Sequence, residues 1–169
     1  MTIPIFSDSH GAGYRAEYVF ERLKRCGDFP REAIFLGDGA SDIEDGIPKG
    51  CELYSVSGNC DVWTSLFDDN GNEIPEERLE FFGGLRVLMM HGHKYSVKSG
   101  IGGAIARARA LDADILLFGH THTPFFTEIA ADERHSKPLL VFNPGSLRNG
   151  SFGLLTVVDG KPLLSHGEL

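Results

Sequence analysis

Five short stretches of this sequence carry side chains of the types that bind metal ions in proteins. They are Asp8-Ser9-His10, Gly37-Asp38-Gly39, Gly58-Asn59, His91-Gly92-His93 and Gly119-His120-Thr121-His122. Imidazole nitrogen combined with carboxylate and amide oxygen suits Mn, Fe, Zn, Ni or Co, and differs from the all-oxygen cage of calcium. A carboxylate has two oxygens and can bridge two cations, which makes Asp38, flanked by glycines, the candidate bridge. These residue types indicate a two-metal centre of the kind that hydrolyses esters.

The spacing within two of these stretches favours a shared target. Asp8 and His10, like His120 and His122, are separated by one residue, so in an extended segment both side chains of a pair project to the same side. Taken alone, Asp-x-His or Gly-Asp-Gly is an ordinary turn signal, and Asp159-Gly160 is predicted to be only a turn. The prediction of a metal centre therefore depends on five such stretches occurring in one chain.

Each of the five stretches follows a short apolar run that predicts a β-strand. These runs cover residues 2–6, 33–36, 52–57, 85–90 and 115–118. In open α/β sheets ligands bind beyond the carboxyl ends of the strands, where the connecting loops converge. We therefore expect the five stretches to meet at one edge of the sheets.

The rest of the chain supplies helices and further strands. Apolar residues at helical spacing predict an amphipathic helix over residues 14–26, and an Ala- and Arg-rich segment predicts a second over residues 102–111. Residues 79–82 and 85–90 read as a hairpin, and residues 125–164 hold three or four more strand candidates. This order predicts two packed sheets with helices outside them.

The composition is that of an ordinary globular protein of 169 residues, with 41% hydrophobic and 24% charged residues. We expect one domain over residues 1–169 that buries roughly 70% of its unfolded surface.

No segment approaches the ~20 apolar residues of a membrane helix, and the first residues lack the regions of a secretory signal. Three cysteines leave one unpaired in any disulfide scheme, so we predict a cytoplasmic protein. The net charge of -8 disfavours nucleic acid as a partner.

The five stretches, in this order, resemble the signature of the calcineurin-like metallophosphoesterases, which is D-x-H, G-D, G-N, a lone His and G-H-x-H. The resemblance spans residues 3 to about 146, including Asn143-Pro144-Gly145-Ser146, and is greatest to the small bacterial and archaeal phosphodiesterases. It implies an α/β fold, a four-layer α-β-β-α sandwich in which two packed mixed sheets are flanked by helices.

The resemblance also implies ligands, metal and reaction. One cation is assigned to Asp8, His10 and His122, the other to Asn59, His91 and His120, and Asp38 is shared. Mn²⁺ is a frequent working metal of the family, with Fe, Zn, Ni or Co as alternatives. The expected reaction is hydrolysis of a small phosphate ester, most readily a diester, by a hydroxide that bridges the two cations and attacks phosphorus in line.

Two residues near these ligands have open roles. Many members of the family have His-Glu after Gly-Asn, where the His helps the leaving oxygen depart, but this chain has Cys60-Asp61 there. The small phosphodiesterases that it resembles also have a Cys at the first of these two positions. We interpret Cys60 as a residue that contacts the substrate or supports a ligand. His93 is predicted to share the metal, contact the substrate or cap a loop.

Three alternatives remain open at this stage. The same two-metal machinery serves phosphomonoesterases and nucleases, although a nuclease should show a basic groove. A relative of this fold that serves as a scaffold in a trafficking complex, with a degraded metal site, is the non-enzymatic alternative.

The oligomeric state is open, with a homodimer or homotetramer considered. Trp63 and Phe67, after the Gly-Asn stretch, either wall a substrate pocket or belong to the core.

Overall fold

The computed structural model describes residues 1–62, 67–68 and 71–169. Its ten described strands are Thr2–Phe6 (β1), Glu32–Phe35 (β2), Glu52–Ser55 (β3), Glu77–Phe82 (β4), Leu85–Met90 (β5), Ile115–Phe118 (β6), Phe125–Ile129 (β7), Leu139–Asn143 (β8), Ser151–Val158 (β9) and Lys161–Glu168 (β10). The helices are Arg15–Arg25 (α1), Ala40–Ile43 (α2) and Gly102–Ala110 (α3). The predicted strands and the two long helices are confirmed to within about two residues, and the short helix α2 was not predicted.

The first sheet has the strand order β10-β9-β1-β2-β3. Strand β1 pairs in parallel with β2, with Ile5 opposite Ile34, and β2 pairs in parallel with β3. On its other side β1 pairs antiparallel with β9, with Ile3 opposite Leu155. Strands β9 and β10 form a hairpin around Asp159-Gly160, which confirms the predicted turn.

The second sheet has the strand order β4-β5-β6-β8-β7. Its three inner strands are parallel, with Leu88 of β5 opposite Leu116 of β6, and Leu116 opposite Val141 of β8. Strands β4 and β7 pair antiparallel on the two edges. Both sheets are therefore mixed, as predicted.

Alternate side chains of the strands divide between two apolar interfaces, which is why the molecule forms layers. Ile3 and Ile5 of β1 pack inward against Met89 of β5 in the core between the two sheets, and all three are fully buried. Phe6 points the other way and packs with Val19 of α1. Because successive residues of a strand face opposite sides, one strand can serve both interfaces.

The second sheet is covered in the same way on its outer face. Ala104 and Ala108 of α3 are fully buried against Leu88 and Leu116. Since alanine has a short side chain, α3 can lie close to the sheet. The layer order is thus helix, sheet, sheet, helix, which confirms the α-β-β-α sandwich predicted from the resemblance.

This architecture brings five strand ends to one place. Strands β1, β2 and β3 run parallel in the first sheet, and β5 and β6 run parallel in the second. Each of them is followed by one of the five predicted ligand stretches. Among the described residues, no helix has the length and apolar character needed to cross a bilayer.

Candidate metal centre

Six of the seven predicted ligands lie in groups whose ligand atoms are within 4.8 Å of one another. The groups found among the described residues are Asp8 with His10 and His122, Asp38 with His91 and His120, and His10 with Asp38 and Cys60. The first two match the two cation positions implied by the resemblance, apart from Asn59. The third includes a thiol that was not predicted to be a ligand.

The distances show that the first two groups form one cluster. The Nε2 atom of His122 is 3.1 Å from Oδ1 of Asp8, and the Nε2 atom of His91 is 3.3 Å from Oδ2 of Asp38. The Nε2 atom of His10 is 3.9 Å from both of these carboxylate oxygens. Carboxylates and imidazoles from four distant parts of the chain therefore face the same small volume.

The backbone at the cluster is strained. Among the described residues, five predicted ligands have positive φ: Asp8 (54°), His10 (41°), Asp38 (62°), His120 (66°) and His122 (59°). This left-handed region costs a residue with a Cβ roughly 1 to 2 kcal/mol. Such strain is typical of functional sites, where the surrounding structure holds a side chain in a required direction.

Asp61 joins the loops that follow β2 and β3. Its carboxylate accepts four backbone N–H groups, from Asp38 (2.9 Å), Gly39 (2.9 Å), Ala40 (3.0 Å) and Gly58 (2.8 Å). One side chain thus fixes the backbone that carries Asp38 and the backbone just before Asn59. No role was predicted for Asp61 from the sequence, where only its place directly after Cys60 pointed to the site.

Asp8 is held in place by neighbours from three loops. Its Oδ2 accepts hydrogen bonds from the Ser7 hydroxyl (2.5 Å) and the His120 backbone N–H (3.0 Å). Ser146, in the loop after β8, donates its hydroxyl hydrogen to the Asp8 carbonyl (2.9 Å). Asn143 donates to the Gly119 carbonyl (2.8 Å), just before His120. The Asn-Pro-Gly-Ser stretch therefore supports the ligand loops.

The other oxygen of Asp8 points to a missing partner. Asp8 is fully buried, and among the described residues no group donates a hydrogen bond to its Oδ1. An unpaired buried acceptor costs about 1 to 3 kcal/mol, and more when it is charged. Oδ1 is also the atom that lies 3.1 Å from His122 Nε2 and 3.9 Å from His10 Nε2. A cation bound among these atoms would satisfy the oxygen, so the residues fit a metal.

The tautomer of His91 also fits a metal ligand. His91 is fully buried, and its Nδ1 lies 2.7 Å from the Leu36 carbonyl oxygen. A carbonyl only accepts, so Nδ1 carries a hydrogen, and Nε2, which faces Asp38 and His120, is the nitrogen that a cation would bind. Ligating histidines in proteins are commonly oriented by such a bond from the second ring nitrogen.

The two aspartates respond differently to their surroundings. Burial raises the pKa of Asp8 above its ordinary value, although the charges of His91 and His122 and the hydrogen bond from Ser7 oppose this. Burial also acts on Asp38, but the hydrogen bonds from His91 and from the Cys60 backbone N–H prevail and hold its pKa well below the usual range. Asp38 is therefore a carboxylate at neutral pH.

The histidines of the cluster also differ in the direction of their pKa shifts. Burial would lower the pKa of His91, but the hydrogen bond with Asp38 and the charge of Asp8 outweigh it and raise the pKa. Burial and the nearby His91 charge lower the pKa of His120 to about 4, so His120 is neutral at pH 7, the state in which an imidazole binds a cation. Burial, followed by the His91 charge, also lowers the pKa of His93.

The remaining predicted residues lie at the rim of the cluster. Asn59 and Cys60 are exposed, and the Asn59 side-chain amide donates a hydrogen bond to Cys60 Sγ (3.3 Å). The His93 ring centroid is 5.6 Å from that of His91 and 6.3 Å from that of His120. Phe67 is 49% exposed, whereas Trp63 lies outside the described residues.

Comparison with known proteins identifies the family of this chain. The sequence model of the calcineurin-like phosphoesterase superfamily domain matches residues 1–159. The probable metallophosphoesterase YsnB of Bacillus subtilis is 31% identical over 148 residues, which make up 88% of this chain and 76% of that protein. The chain therefore belongs to the calcineurin-like phosphoesterase superfamily, whose members use divalent metals.

Solved structures share the fold. An archaeal phosphodiesterase is 22% identical with a TM-score of 0.66, covering 98% of this chain and 99% of its own. Vacuolar Protein Sorting 29 from Cryptosporidium parvum is also 22% identical, with a TM-score of 0.68 over 99% of this chain and 97% of its own. At these identities the likeness shows the fold alone.

Proposed function

We propose that this protein is a dinuclear metal-dependent phosphoesterase that hydrolyses small phosphodiesters, with Mn²⁺ as the leading candidate metal. The proposed ligands are Asp8, His10, Asp38, Asn59, His91, His120 and His122. The observation that carries the proposal is the fully buried Asp8 carboxylate, whose unpaired Oδ1 faces two imidazoles. Such an arrangement is costly for a protein without a cation and favourable for one that binds it.

Two divalent cations held by these residues would supply Lewis acidity and would lower the pKa of bound water towards neutrality. The residues of this chain set where that chemistry takes place. Asp38 has Oδ2 facing both His10 and His91, which suits a shared ligand. The bond from His91 Nδ1 to the Leu36 carbonyl directs Nε2 towards the proposed centre. Asn59 adds a neutral amide oxygen, which leaves the centre positively charged towards an anionic ester.

His93 and Cys60 are proposed to contribute in addition to the seven ligands. His93 lies next to His91 and His120 and lines a cavity of about 230 Å³ together with Glu76, Glu77 and other residues. A cavity of this size admits a small organic group and not a folded polymer. We infer that His93 contacts the substrate there, and that Cys60 occupies the position from which many relatives assist the leaving oxygen.

Phosphomonoester and nucleic-acid hydrolysis are the alternatives within the same chemistry. The net charge of -8 opposes the phosphate contacts that polynucleotide binding needs. A small phosphate ester makes few such contacts, and it would meet the cations directly. This favours a small ester over a nucleic acid. The preference for a diester over a monoester rests on the likeness of the motifs to the small phosphodiesterases.

A scaffold on the same fold is the alternative from another class. The fold likeness to Vacuolar Protein Sorting 29 motivates it, since that protein is named for sorting. A scaffold has no need of Asp8 in its buried, half-paired state, nor of strained backbone at five ligand positions. We therefore favour the enzyme. The three cysteines, Cys26, Cys51 and Cys60, are all free in the described chain, which supports our proposal of a reducing, cytoplasmic location.

The test is a hydrolysis assay with a chromogenic phosphodiester and its monoester counterpart, across Mn²⁺, Co²⁺, Zn²⁺ and Ni²⁺. We expect diester turnover that stops with chelator and falls by at least about 100-fold in Asp38→Asn. Asp159→Asn is the matched control, because Asp159 also has positive φ but lies in the distant β9–β10 turn. Metal binding without turnover of any ester would favour the scaffold, and full activity in Asp38→Asn would exclude the bridging role.

A further inference from the structure

A third group of ligand atoms overlaps the two proposed cation positions. Ligand atoms of His10, Asp38 and Cys60 all lie within 4.8 Å of one another. Both His10 and Asp38 already belong to the proposed metal centre, so the sulfur lies beside a position where a cation is expected. The same limit of 4.8 Å holds for the two groups of nitrogen and oxygen ligands.

The local structure holds the Cys60 sulfur at this place. The Cys60 backbone N–H donates to Asp38 Oδ1 (2.7 Å), which ties the residue to the shared carboxylate. The Asn59 amide donates to Cys60 Sγ (3.3 Å). Hydrogen bonds to a metal-bound ligand atom are a common way of orienting it and tuning its charge.

A second, independent feature also calls for a cation here. The fully buried Asp8 has an unpaired Oδ1 that lies 3.9 Å from His10 Nε2, and His10 is a member of the Cys60 group. A cation bound by His10 would therefore lie near both the free Asp8 oxygen and the Cys60 sulfur.

We propose that Cys60 is a ligand of the metal centre, and that its sulfur binds the cation held by His10 and Asp38. This inference rests on the proposed function and deepens it, because it concerns which metal the same centre prefers. On coordination the S–H bond breaks, the sulfur electron pair forms the bond to the cation, and the proton passes to solvent. Soft thiolate selects Zn²⁺ and related cations over Mn²⁺. Cys60 would thus raise the affinity of the centre for Zn²⁺ above that of the same centre without sulfur, while Mn²⁺ can still bind through the nitrogen and oxygen ligands.

The other two cysteines provide controls. Cys26 is exposed and follows the last turn of α1, on the outer layer of the molecule. Cys51 is half-buried, and burial together with Glu32 and Glu52 raises the pKa of its thiol to about 11. Among the described residues neither belongs to a metal-ligand group. Cys26→Ser is the matched variant because Cys26 and Cys60 are both exposed.

The experiment is to load the whole protein with Co²⁺ and record its absorption spectrum. The visible bands of Co²⁺ report that the ion is bound, and a sulfur-to-cobalt charge-transfer band in the near ultraviolet reports thiolate coordination. We expect both in the wild type and in Cys26→Ser. In Cys60→Ser and Cys60→His, we expect the visible bands to persist and the charge-transfer band to vanish.

The outcomes separate this inference from the proposed function. Visible bands without a charge-transfer band in the wild type would overturn sulfur coordination while leaving the metal centre intact. A charge-transfer band that survives in Cys60→Ser would also overturn it. Spectra without any bound Co²⁺ would contradict the metal centre itself. A competition assay provides a second readout: we expect Cys60→Ser to lose zinc preference over manganese by about tenfold or more.

Discussion

Asp8 shows how single residues prepare the cluster for a cation. Its carboxylate has one oxygen held by Ser7 and His120 and the other left without a donor in a fully buried place. Its backbone is also left-handed, with φ of 54°. Both features cost free energy in the folded chain. Binding of a cation would recover part of that cost, so cation binding and stability of these loops should be linked.

Replacement of Asp61 should weaken cation binding. Asp61→Asn replaces one of the two accepting oxygens with an NH₂ group, which would face backbone N–H groups and repel them. We expect cation affinity to fall by about 10- to 100-fold while the fold persists, because Asp61 supports ligands without being one. The measurement is a cation titration by calorimetry, with kcat and KM recorded separately for the diester.

The control for that prediction is Asp132→Asn. Asp132 also accepts backbone N–H groups, from Arg134 and His135, but lies in an exposed turn between β7 and β8. The Asp132→Asn variant should bind cations with the affinity of the wild type. Unchanged cation affinity in Asp61→Asn would show that the four hydrogen bonds do not position the ligands.

At the scale of elements, the loops after β2 and β3 approach each other closely at Gly58. A Cβ added at Gly58 would lie 2.1 Å from Asp38 Oδ1 and 2.6 Å from the Asp38 backbone nitrogen. Gly58→Ala should therefore displace Asp38 and abolish cation binding. Gly102→Ala is the matched control, because a Cβ at Gly102, the first residue of α3, would meet open space. Circular dichroism and a cation titration, run on both variants, test this expectation. Normal cation binding in Gly58→Ala would contradict it.

Glu77 links three elements of the second sheet's outer side. At the start of β4, it accepts hydrogen bonds from the Tyr95 hydroxyl (2.6 Å) and from Arg107 Nε of α3 (2.9 Å). The bond from Arg107, together with that from Tyr95, lowers the pKa of Glu77 below its ordinary value near 4.5. A lowered folded-state pKa means that this stabilisation is present above about pH 4.5 and is lost as the pH falls through the folded-state value.

We therefore expect Glu77→Gln to lower the free energy of unfolding by about 1 kcal/mol at pH 7, a figure reduced for solvent screening. The difference from wild type should shrink below about pH 4.5. Urea unfolding at several pH values measures it. Glu21→Gln is the control, because the Glu21–Arg25 pair is well exposed at 3.7 Å and should contribute almost nothing. A pH-independent loss in Glu77→Gln would contradict the electrostatic explanation.

For the molecule as a whole, much of the fold followed from local sequence patterns. Apolar runs ending abruptly in polar residues identified the strands that carry the predicted ligands, because side-chain type and strand period are local properties. The order of helices and strands also predicted two packed sheets with helices outside, the resemblance implied the four-layer α-β-β-α sandwich, and both are confirmed. The short helix α2 was missed because it has only four residues, Ala40–Ile43, which are too few to show a periodic pattern.

The support of the cluster could not be read from local patterns. Asp61 contacts residues 22 or 23 positions earlier, and Ser146 contacts Asp8 across 138 positions. Such contacts depend on how strands are ordered within each sheet, which spacing does not determine. The grouping of Cys60 with His10 and Asp38 is of the same kind. Six of the grouped residues were thus predicted from the sequence, whereas the place of Cys60 in the cluster and the supporting contacts required the three-dimensional structure.

The measurement that tests the central claim most directly is a crystal structure of the protein grown with Mn²⁺, with data collected near the manganese absorption edge. We expect two anomalous peaks about 3.5 to 4 Å apart, one beside Asp8 and His122, the other beside His91 and His120, with Asp38 between them. Full-strength Mn²⁺ peaks elsewhere and none at these residues would contradict the dinuclear centre.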